Sequence, residues 1–428
     1  MAATMKNVYF TLICALSCFV LLAASAQAAG LWLFEQGTPD LGTAAAGRAA
    51  MAKDASTAFG NPAGMTRLKD SQLTVAAQTL FPQIKFNADD SSFGGGNGGN
   101  AGYFTPTANV SYVHSVTSDF KLGVSTGSYF GLGLDYDDDW AGRYYFLEGE
   151  FLTFGVNPVA AYRINKYLSV GGGVSMLVSK YKAKTALRNL EPGSSDGKLE
   201  FEDFDVGFGG NAGVLISPRE GTRFGITYRS KVDLEYEDKP DLSGVGPLLQ
   251  AALNLTGLAG ANVKLDMELP QAIMSSAYHE FTDKLAIMGN VGWQDWSSFG
   301  NIDVSIDSDT STSATQDLGY DDTWHFAFGG QYRIAEPWLL SFGGAYDTSP
   351  ADSAKKRTPA MPFDRQYRLA AGLQYELNPD VTLGAAYQYL DLGDANIDRT
   401  GGLLRGDLKG KYKKNEIHFL GVNLIWKF

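Results

Sequence analysis

The stretch LGVNLIWKF, residues 420–428, ends the chain and decides its fold. Its apolar residues recur at every second position: Leu420, Val422, Leu424, Trp426 and Phe428. Asn423 and Lys427 fall on the opposite face of an extended chain. Such alternation places one face of a strand in an apolar medium and the other in a wetter one. Because outer-membrane β-barrels are built from strands of this kind, the stretch predicts a transmembrane β-barrel.

The opposite end of the chain indicates the same compartment. Residues 1–28 carry one early charge, Lys6, then an apolar run, and end in the A-Q-A sequence of residues 26–28. This layout predicts a secretory signal peptide that is cleaved before residue 29. An uncleaved membrane anchor is the alternative, but the apolar run is rather short for a span. Both cysteines, Cys14 and Cys18, lie in this segment, so we expect a mature chain without disulfides.

The composition fits a barrel better than a set of soluble domains. The chain of 428 residues has 50 glycines and 12% aromatic residues, with a mean hydropathy of -0.13. Alternating strands hide their apolar face from a window average, so a barrel in lipid can have near-neutral hydropathy. The net charge of -12 makes nucleic acid an improbable partner.

From residue 71 onwards, strand-like segments are joined by two kinds of connection that alternate. One kind is a tight turn: residues 117–119, 165–166, 218–221, 282–284, 335–337 and 378–380. The other kind is a long loop: residues 87–106, 128–148, 184–199, 237–262, 304–319, 349–364 and 393–415. Short turns on one rim and long loops on the other are typical of bacterial outer-membrane barrels. Residues 71–428 are therefore predicted to form an all-β, antiparallel transmembrane barrel of about 14 strands.

The inner face of the predicted strands is rich in Gly, Ala, Gln and Ser. In one strand, Ala370, Gly372 and Gln374 share that face with Arg368 and Glu376. A barrel of about 14 strands with such a lining leaves space that something should fill. The Ala-rich residues 29–70 are the predicted plug, which we call the hatch, and a periplasmic arm without a role in the pore is the alternative.

Several motifs resemble the FadL family of outer-membrane transporters for long-chain fatty acids and other hydrophobic compounds. They are Gly37, Leu41-Gly42, residues 44–47, Ala52, residues 54–58, Asn61, Pro62, Ala63, Gly64, residues 293–297, residues 357–359, Pro362 and residues 386–390. The resemblance covers the mature chain in order. It implies a barrel of fourteen strands with an N-terminal hatch, ligand capture at extracellular loops, a site above the hatch and sideways release through a defect in the third strand.

The residues themselves suggest where these steps occur. The hatch turn is Asn61, Pro62, Ala63 and Gly64; the proposed capture residues are Leu248, Leu249, Leu253 and Leu255. An apolar stretch on a loop suggests ligand capture, although loops that pack on each other would also explain it. Gly123 and Gly127 predict a kink in the third strand. A fatty acid needs a cation near its head group, and the unranked candidates are Arg143, Lys180, Arg188 and Lys264.

Other functions are less well supported by the sequence. Residues 123–127 match G-x-S-x-G, but that motif needs a strand-turn-helix elbow, so a barrel lipase is disfavoured. Four scattered histidines do not predict a metal site, and no cofactor is expected. A general porin remains an alternative, although it should have charged rings in the lumen. We therefore expect a monomeric channel in the lipids of the outer membrane, with a hydrophobic small molecule as its ligand.

Overall fold

The structure, a computed structural model, describes residues 35–128, 130–255, 258–307 and 312–428. The predicted signal peptide and the first residues of the predicted hatch lie outside the described residues. The described strands, numbered in chain order, are β1 Gln72–Ser91, β2 Thr105–Ser115, β3 Phe120–Gly127, β4 Gly131–Asp135, β5 Glu148–Arg163, β6 Leu168–Leu187, β7 Gly197–Arg219, β8 Thr222–Arg229, β9 Val232–Asp238, β10 Asp241–Ser243, β11 Asn262–Leu269, β12 Ala272–Glu280, β13 Leu285–Gln294, β14 Asn301–Asp307, β15 Thr312–Asp317, β16 Thr323–Ala335, β17 Trp338–Asp347, β18 Gln366–Asn378, β19 Val381–Asp391, β20 Ile397–Thr400 and β21 Asp407–Lys427.

Helices are few and short in the described residues. They are Pro39–Thr43, Thr57–Gly60, Pro62–Arg67, Pro247–Leu255, Trp296–Phe299 and Gly402–Arg405. In the described part of the chain, no helix is both long enough and apolar enough to span a membrane.

The main sheet closes on itself. Antiparallel pairing runs in the order β1, β2, β3, β5, β6, β7, β8, β12, β13, β16, β17, β18, β19, β21 and back to β1. Strands β3 and β4 both pair with β5, one after the other along its length, and together they form one strand of the barrel. The terminal strand β21 closes the ring because Trp426 pairs with Leu73 of β1. The prediction of an all-β antiparallel barrel of about 14 strands is therefore confirmed.

The outer face of the barrel is apolar, as the alternation predicted. On β16, Trp324, Phe326 and Phe328 are exposed by 45%, 44% and 62%. His325 and Ala327, which lie between them, are buried on the inner face. Aromatic side chains with this exposure suit a surface in contact with lipid and its interfaces.

The tight turns fall where the sequence predicted them, but the long-loop rim is more ordered than expected. Residues 304–319 were predicted to be a loop, whereas they contribute to the hairpin of β14 and β15. Ile302, Val304 and Ile306 alternate with polar residues and are buried. The Ser- and Asp-rich composition concealed this period of two.

Beyond the barrel, β9, β11, β14 and β15 form a second sheet of four strands, which we call the outer sheet. Its strands follow or precede β8, β12, β13 and β16 along the chain, so the outer sheet extends the barrel on the long-loop side. Its inner face is apolar, with Leu234, Tyr236 and Leu265 almost fully buried. Charged residues such as Glu235 and Lys264 alternate with them on the outer face.

Candidate functional site

Residues 35–70, the described part of the predicted hatch, pack against the inner face of the barrel. The N–H of Gly47 donates to Oδ1 of Asn290 on β13 at 2.7 Å. The N–H of Ala49 donates to Oγ of Ser276 on β12 at 3.1 Å. On the far side of the ring, Nδ2 of Asn423 on β21 donates to the carbonyl of Gly37 at 3.4 Å. A segment that contacts strands this far apart around the ring lies within it.

Glycines on the strands make room for this segment. A Cβ atom placed on Gly225 would lie 1.8 Å from the carbonyl oxygen of Ala49. A Cβ atom on Gly343 would lie 2.0 Å from the carbonyl oxygen of Thr43. The backbones therefore approach more closely than any larger residue would permit, which explains the small inner lining that the sequence showed.

The four predicted turn residues lie together against β6 and β7. Asn61 uses its whole side chain: Oδ1 accepts from the N–H of Ala63 at 3.1 Å, and Nδ2 donates to the carbonyls of Ala49 and Val214 at 2.6 and 3.1 Å. Pro62 begins the helix Pro62–Arg67. Asn61 and Ala63 are both 0% exposed. Asn61 thus links the segment to itself and to the wall.

Gly64 completes this turn through close packing. A Cβ atom on Gly64 would lie 2.2 Å from Oγ1 of Thr57. Two residues further on, Oγ1 of Thr66 donates to Oγ of Ser169 on β6 at 2.7 Å. Hydrogen bonds to the wall therefore hold the turn on both sides, from Asn61 to β7 and from Thr66 to β6.

A buried charged network, which the sequence analysis missed, joins the start of the segment to four strands. Nε of Arg368 and Nε2 of Gln388 donate to Oε1 of Glu35, at 2.9 and 2.5 Å. Arg368 also pairs with Asp347, whose Oδ1 lies 2.7 Å from Nδ1 of His325. The charged residues on the inner face of β17 and β18 could have indicated a buried ion pair. The sequence contains no pattern that pairs them with Glu35.

The third barrel strand is interrupted between β3 and β4. Its ladder with β2 extends only from the pair Ser115–Lys121 to the pair Ser111–Ser125. Beyond it, Oγ1 of Thr126 accepts from the N–H of Val110 at 2.9 Å in place of a main-chain partner. β4 then pairs with β5. Among the described residues, the main-chain pairing on this side therefore stops at Ser111–Ser125 and resumes only at the bridge between Gly102 and Leu134.

Of the two glycines predicted to kink this strand, Gly127 adjoins the interruption and Gly123 does not. Gly123 pairs regularly with Val113 and Val159. Its missing side chain makes room for Met65, because a Cβ atom there would lie 2.6 Å from the sulfur. A Cβ atom on Gly127 would lie 2.9 Å from the ring of Phe59.

Gln36 of the N-terminal segment satisfies the backbone at this interruption. Its Nε2 donates to the carbonyl of Ser128 at 2.8 Å, and its Oε1 accepts from the N–H of Ser128 at 3.3 Å. In lipid, a backbone group without a hydrogen-bond partner costs roughly several kcal/mol. An interruption in the wall therefore needs a partner such as the side chain of Gln36. The segment and the interruption are therefore structurally coupled.

The predicted capture residues lie on the helix Pro247–Leu255 and face two ways. Leu249 and Leu253 are 3% and 6% exposed, whereas Leu248 and Leu255 are 58% and 70% exposed. The buried pair lines an apolar cavity that is partly open to solvent. Its other walls include Leu187, Leu199, Leu242, Val263 and Ile306. We call it the leucine cavity.

The structure ranks the four candidate cations. Arg143, Lys180 and Lys264 form ion pairs with Asp196, Glu150 and Glu235 at 2.8, 2.9 and 2.9 Å. Arg188 lines the leucine cavity. Its guanidinium lies 4.1 Å from the ring centre of Phe93 and donates to the carbonyl of Leu403 at 2.9 Å.

Arg188 stands apart from the other three candidates in its charge environment. Within the described residues, no carboxylate lies within ion-pair distance of its guanidinium. It is therefore the candidate that lines the cavity without a carboxylate partner in the described residues.

A large buried apolar cluster, which we call the inner cluster, adjoins the leucine cavity at Val263 and includes Leu41 and Phe59 of the N-terminal segment. Its buried aromatic members include Phe130, Phe151, Tyr181, Phe201, Tyr236, Trp296 and Phe299. Beside the segment, a second cavity lies between Phe59 and strands β7, β8 and β12. Arg48 and Arg229 flank the ring of Phe59, at 5.5 and 4.7 Å from its centre.

The fold and these features define a class: an outer-membrane transport barrel with an N-terminal segment packed against its inner face. The chain belongs to the family described as outer membrane protein transport protein (OMPP1/FadL/TodX), whose sequence model matches residues 19–428. The family resemblance and the predicted outer-membrane location are therefore confirmed.

Curated relatives match most of the chain. A long-chain fatty acid transport protein of Escherichia coli O6:H1 is 29% identical over 400 residues, which cover 86% of this chain and 89% of the relative. A 47 kDa outer membrane protein of Pasteurella multocida is 30% identical and covers 91% of this chain and 93% of the relative.

Solved structures share the fold. A FadL homologue of Pseudomonas aeruginosa superposes with a TM-score of 0.86 at 22% identity, covering 94% of this chain and 100% of the homologue. The Ralstonia pickettii toluene transporter TbuX superposes with a TM-score of 0.67 at 18% identity, covering 92% of this chain and 100% of the transporter.

Proposed function

We propose that this protein takes up long-chain fatty acids or related hydrophobic compounds and releases them sideways into the outer membrane, without catalysing a reaction. The observation that carries the proposal is the leucine cavity with Arg188 at its edge. Its apolar walls favour an alkyl chain, and the guanidinium favours a carboxylate. A sugar would find few hydrogen-bonding partners on these walls.

The arginine favours a fatty acid over a neutral hydrocarbon. A hydrocarbon has no group that would compensate for the desolvation of Arg188. The names of the similar proteins are compatible with either ligand class, since one is a long-chain fatty acid transport protein and another is a toluene transporter. A monoaromatic hydrocarbon is therefore the second candidate, favoured by the otherwise apolar lining of the cavity.

The proposed route runs from the leucine cavity through the inner cluster to the break between β3 and β4. Residues 29–70 act as the hatch of a barrel formed by residues 71–428, after removal of residues 1–28. Gln36 closes the break in the resting state, and movement of the segment opens it. The Asn61 turn keeps the rest of the segment fixed to the wall. One chain contains every element of this route, so we propose that it works as a monomer.

The test is to purify the barrel in detergent, extract it, and identify the bound molecules by mass spectrometry. Binding of radiolabelled oleate and of toluene is then measured on delipidated protein. Oleate binding with little sugar permeation in a liposome-swelling assay supports the proposal. Sugar permeation like that of a general porin, without oleate or toluene binding, would overturn it.

A further inference from the structure

A second discontinuity lies in the wall, on the edge of β7 that faces away from β6. β6 pairs with β7 from Gly197 to Ile216. On the other edge, β10 pairs with residues 198–200 and β8 pairs from Asn211 to Arg219. Between them, residues 201–209 face β9 without a main-chain ladder in the described part of the chain. We call this stretch the seam.

Carboxylates bridge the seam in place of a ladder. The N–H groups of Glu235 and Glu237 on β9 donate to the side chains of Asp205 and Asp203 on β7, both at 2.7 Å. In the opposite direction, the N–H of Glu202 donates to Oδ2 of Asp238 at 3.4 Å. Each of these bonds can be exchanged for water without breaking a continuous sheet, because side chains rather than strands make them.

The inner side of the seam leads directly to the inner cluster. A Cβ atom on Gly207 would lie 2.3 Å from Cγ1 of Val232 and 2.9 Å from Cδ2 of Leu234. Val232 and Leu234 are 4% and 2% exposed, and both belong to that cluster. An opening at the seam would therefore expose apolar interior rather than a polar channel.

The outer side of the seam is apolar as well. Phe204, Val206 and Phe208 point outward from β7 and are exposed by 59%, 46% and 70%. Their neighbours on β6 in the ladder are Lys180, Val178 and Met176. The apolar band thus continues along the edge of the seam up to the level of Lys180.

We propose that the seam is a second opening, through which apolar molecules in the outer part of the membrane enter the inner cluster without passing the leucine cavity. The inference rests on the proposed function, because the route joins the same interior. Apolar surfaces lie on both sides. In the described residues, side-chain carboxylates and the packing of Gly207 against Val232 and Leu234, rather than a main-chain ladder, close the gap between β7 and β9. Opening at this place costs less than at a continuous ladder, where adjacent main-chain bonds must break together.

A reversible disulfide tests the route. Gly207→Cys with Val232→Cys is designed to lock the seam, since a Cβ atom on Gly207 would lie 2.3 Å from Cγ1 of Val232. The matched control is Gly344→Cys with Leu369→Cys, a glycine and an apolar residue paired across the continuous ladder of β17 and β18. Oxidation of the seam pair should lower initial oleate uptake by cells about twofold, because the route through the leucine cavity stays open, with recovery after reduction; oxidation of the control pair should not lower it. Uptake that is equal in both oxidised pairs would overturn the proposal.

Cysteine labelling tests the seam without any transport assay. Val232→Cys borders the seam, whereas Leu265→Cys on β11 is equally buried and lies between continuous ladders to β9 and β14. In membrane vesicles, a lipophilic maleimide should label residue 232 about tenfold faster than residue 265. Equally slow labelling would overturn the seam, even if oleate uptake by the parent supports the proposed function. If residue 232 is labelled faster than residue 265 but the parent takes up neither oleate nor toluene, the proposed function is contradicted and the seam is not.

Discussion

Arg368 on β18 donates a hydrogen bond from Nε to Oε1 of Glu35 at 2.9 Å, and both side chains are 1% exposed. This contact joins the N-terminal segment to a wall residue 333 positions later in the chain. Removing one partner of a buried ion pair typically costs about 3–5 kcal/mol, because the other charge remains buried. The segment is therefore fixed at its start as well as at the Asn61 turn.

We expect Glu35→Ala to release the start of the segment and to raise ion conductance in planar bilayers, while the barrel still inserts. Arg368→Met should do the same, and the double variant should be less affected than the sum of the two, because the partners share one interaction. Arg365→Met, at an exposed position three residues earlier, is the control. Additive effects in the double variant would contradict the coupling.

Asn61→Ala with Pro62→Gly should also free the segment. Asn61 makes three hydrogen bonds that no alanine replaces. Each buried group left unpaired costs about 1–3 kcal/mol. We expect higher conductance and loss of selective uptake, with Asn301→Ala, an exposed asparagine on β14, as the control. Conductance and uptake equal to those of the parent would show that the turn does not hold the segment.

The sequence predicted the parts of this fold that depend on local alternation. The terminal strand, the tight turns and the number of barrel strands follow from period-two patterns and turn residues. The hairpin of β14 and β15 was missed because its apolar residues stand among Ser and Asp. The pairing of Glu35 with Arg368 and the seam were missed for another reason, since both depend on tertiary contacts that no local pattern encodes.

The structure adds geometry to the predicted site residues, whose roles stay predictions. Asn61 was expected to bond through both ends of its amide, and it does so. The four leucines were expected to act together, whereas the helix divides them into two faces. Helical geometry places Leu249 and Leu253 on one side because they are four residues apart. The sequence alone did not define which side faces a cavity.

Burial of Asp54 in the N-terminal segment, outside the membrane-spanning strands, predicts a pH dependence. Burial raises the pKa of its carboxyl, although hydrogen bonds from Ser56 oppose the shift. A carboxyl whose pKa is raised by folding contributes stability below its unfolded pKa of about 3.9, and this is lost as pH rises through the folded pKa. The packed segment should thus loosen as pH rises from about 4 towards neutrality.

Proteolysis of the segment at a series of pH values checks this. Asp54→Asn removes the charge, so its cleavage rate should not rise with pH as that of the parent does. Asp70→Asn, at an exposed position just before β1, should behave like the parent. A parent whose cleavage rate is independent of pH over this range would contradict the role of Asp54.

The two faces of the helix Pro247–Leu255 give a matched pair of variants. Leu249→Ser with Leu253→Ser should weaken oleate binding, because both side chains line the leucine cavity. Each lost apolar contact is worth about 1–3 kcal/mol. Leu248→Ser with Leu255→Ser changes the same number of leucines on the exposed face and should leave binding nearly unchanged. Equal losses in the two double variants would indicate that the loop only packs on itself.

Arg188 decides between the two ligand classes. Arg188→Met keeps the length of the side chain and its apolar contact with Phe93 but removes the charge. If the ligand is a carboxylate, oleate should bind about tenfold more weakly or worse, since a hydrogen bond to a charged group contributes about 1.5–3 kcal/mol. Toluene, which carries no charge, should bind as before or more tightly. Lys264→Met removes a cation that is paired with Glu235 on the outer sheet and serves as the control. The loss in oleate binding caused by Arg188→Met should become smaller at pH values where oleate is protonated. If Arg188→Met weakens the binding of oleate and of toluene equally, Arg188 shapes the cavity and does not bind a carboxylate.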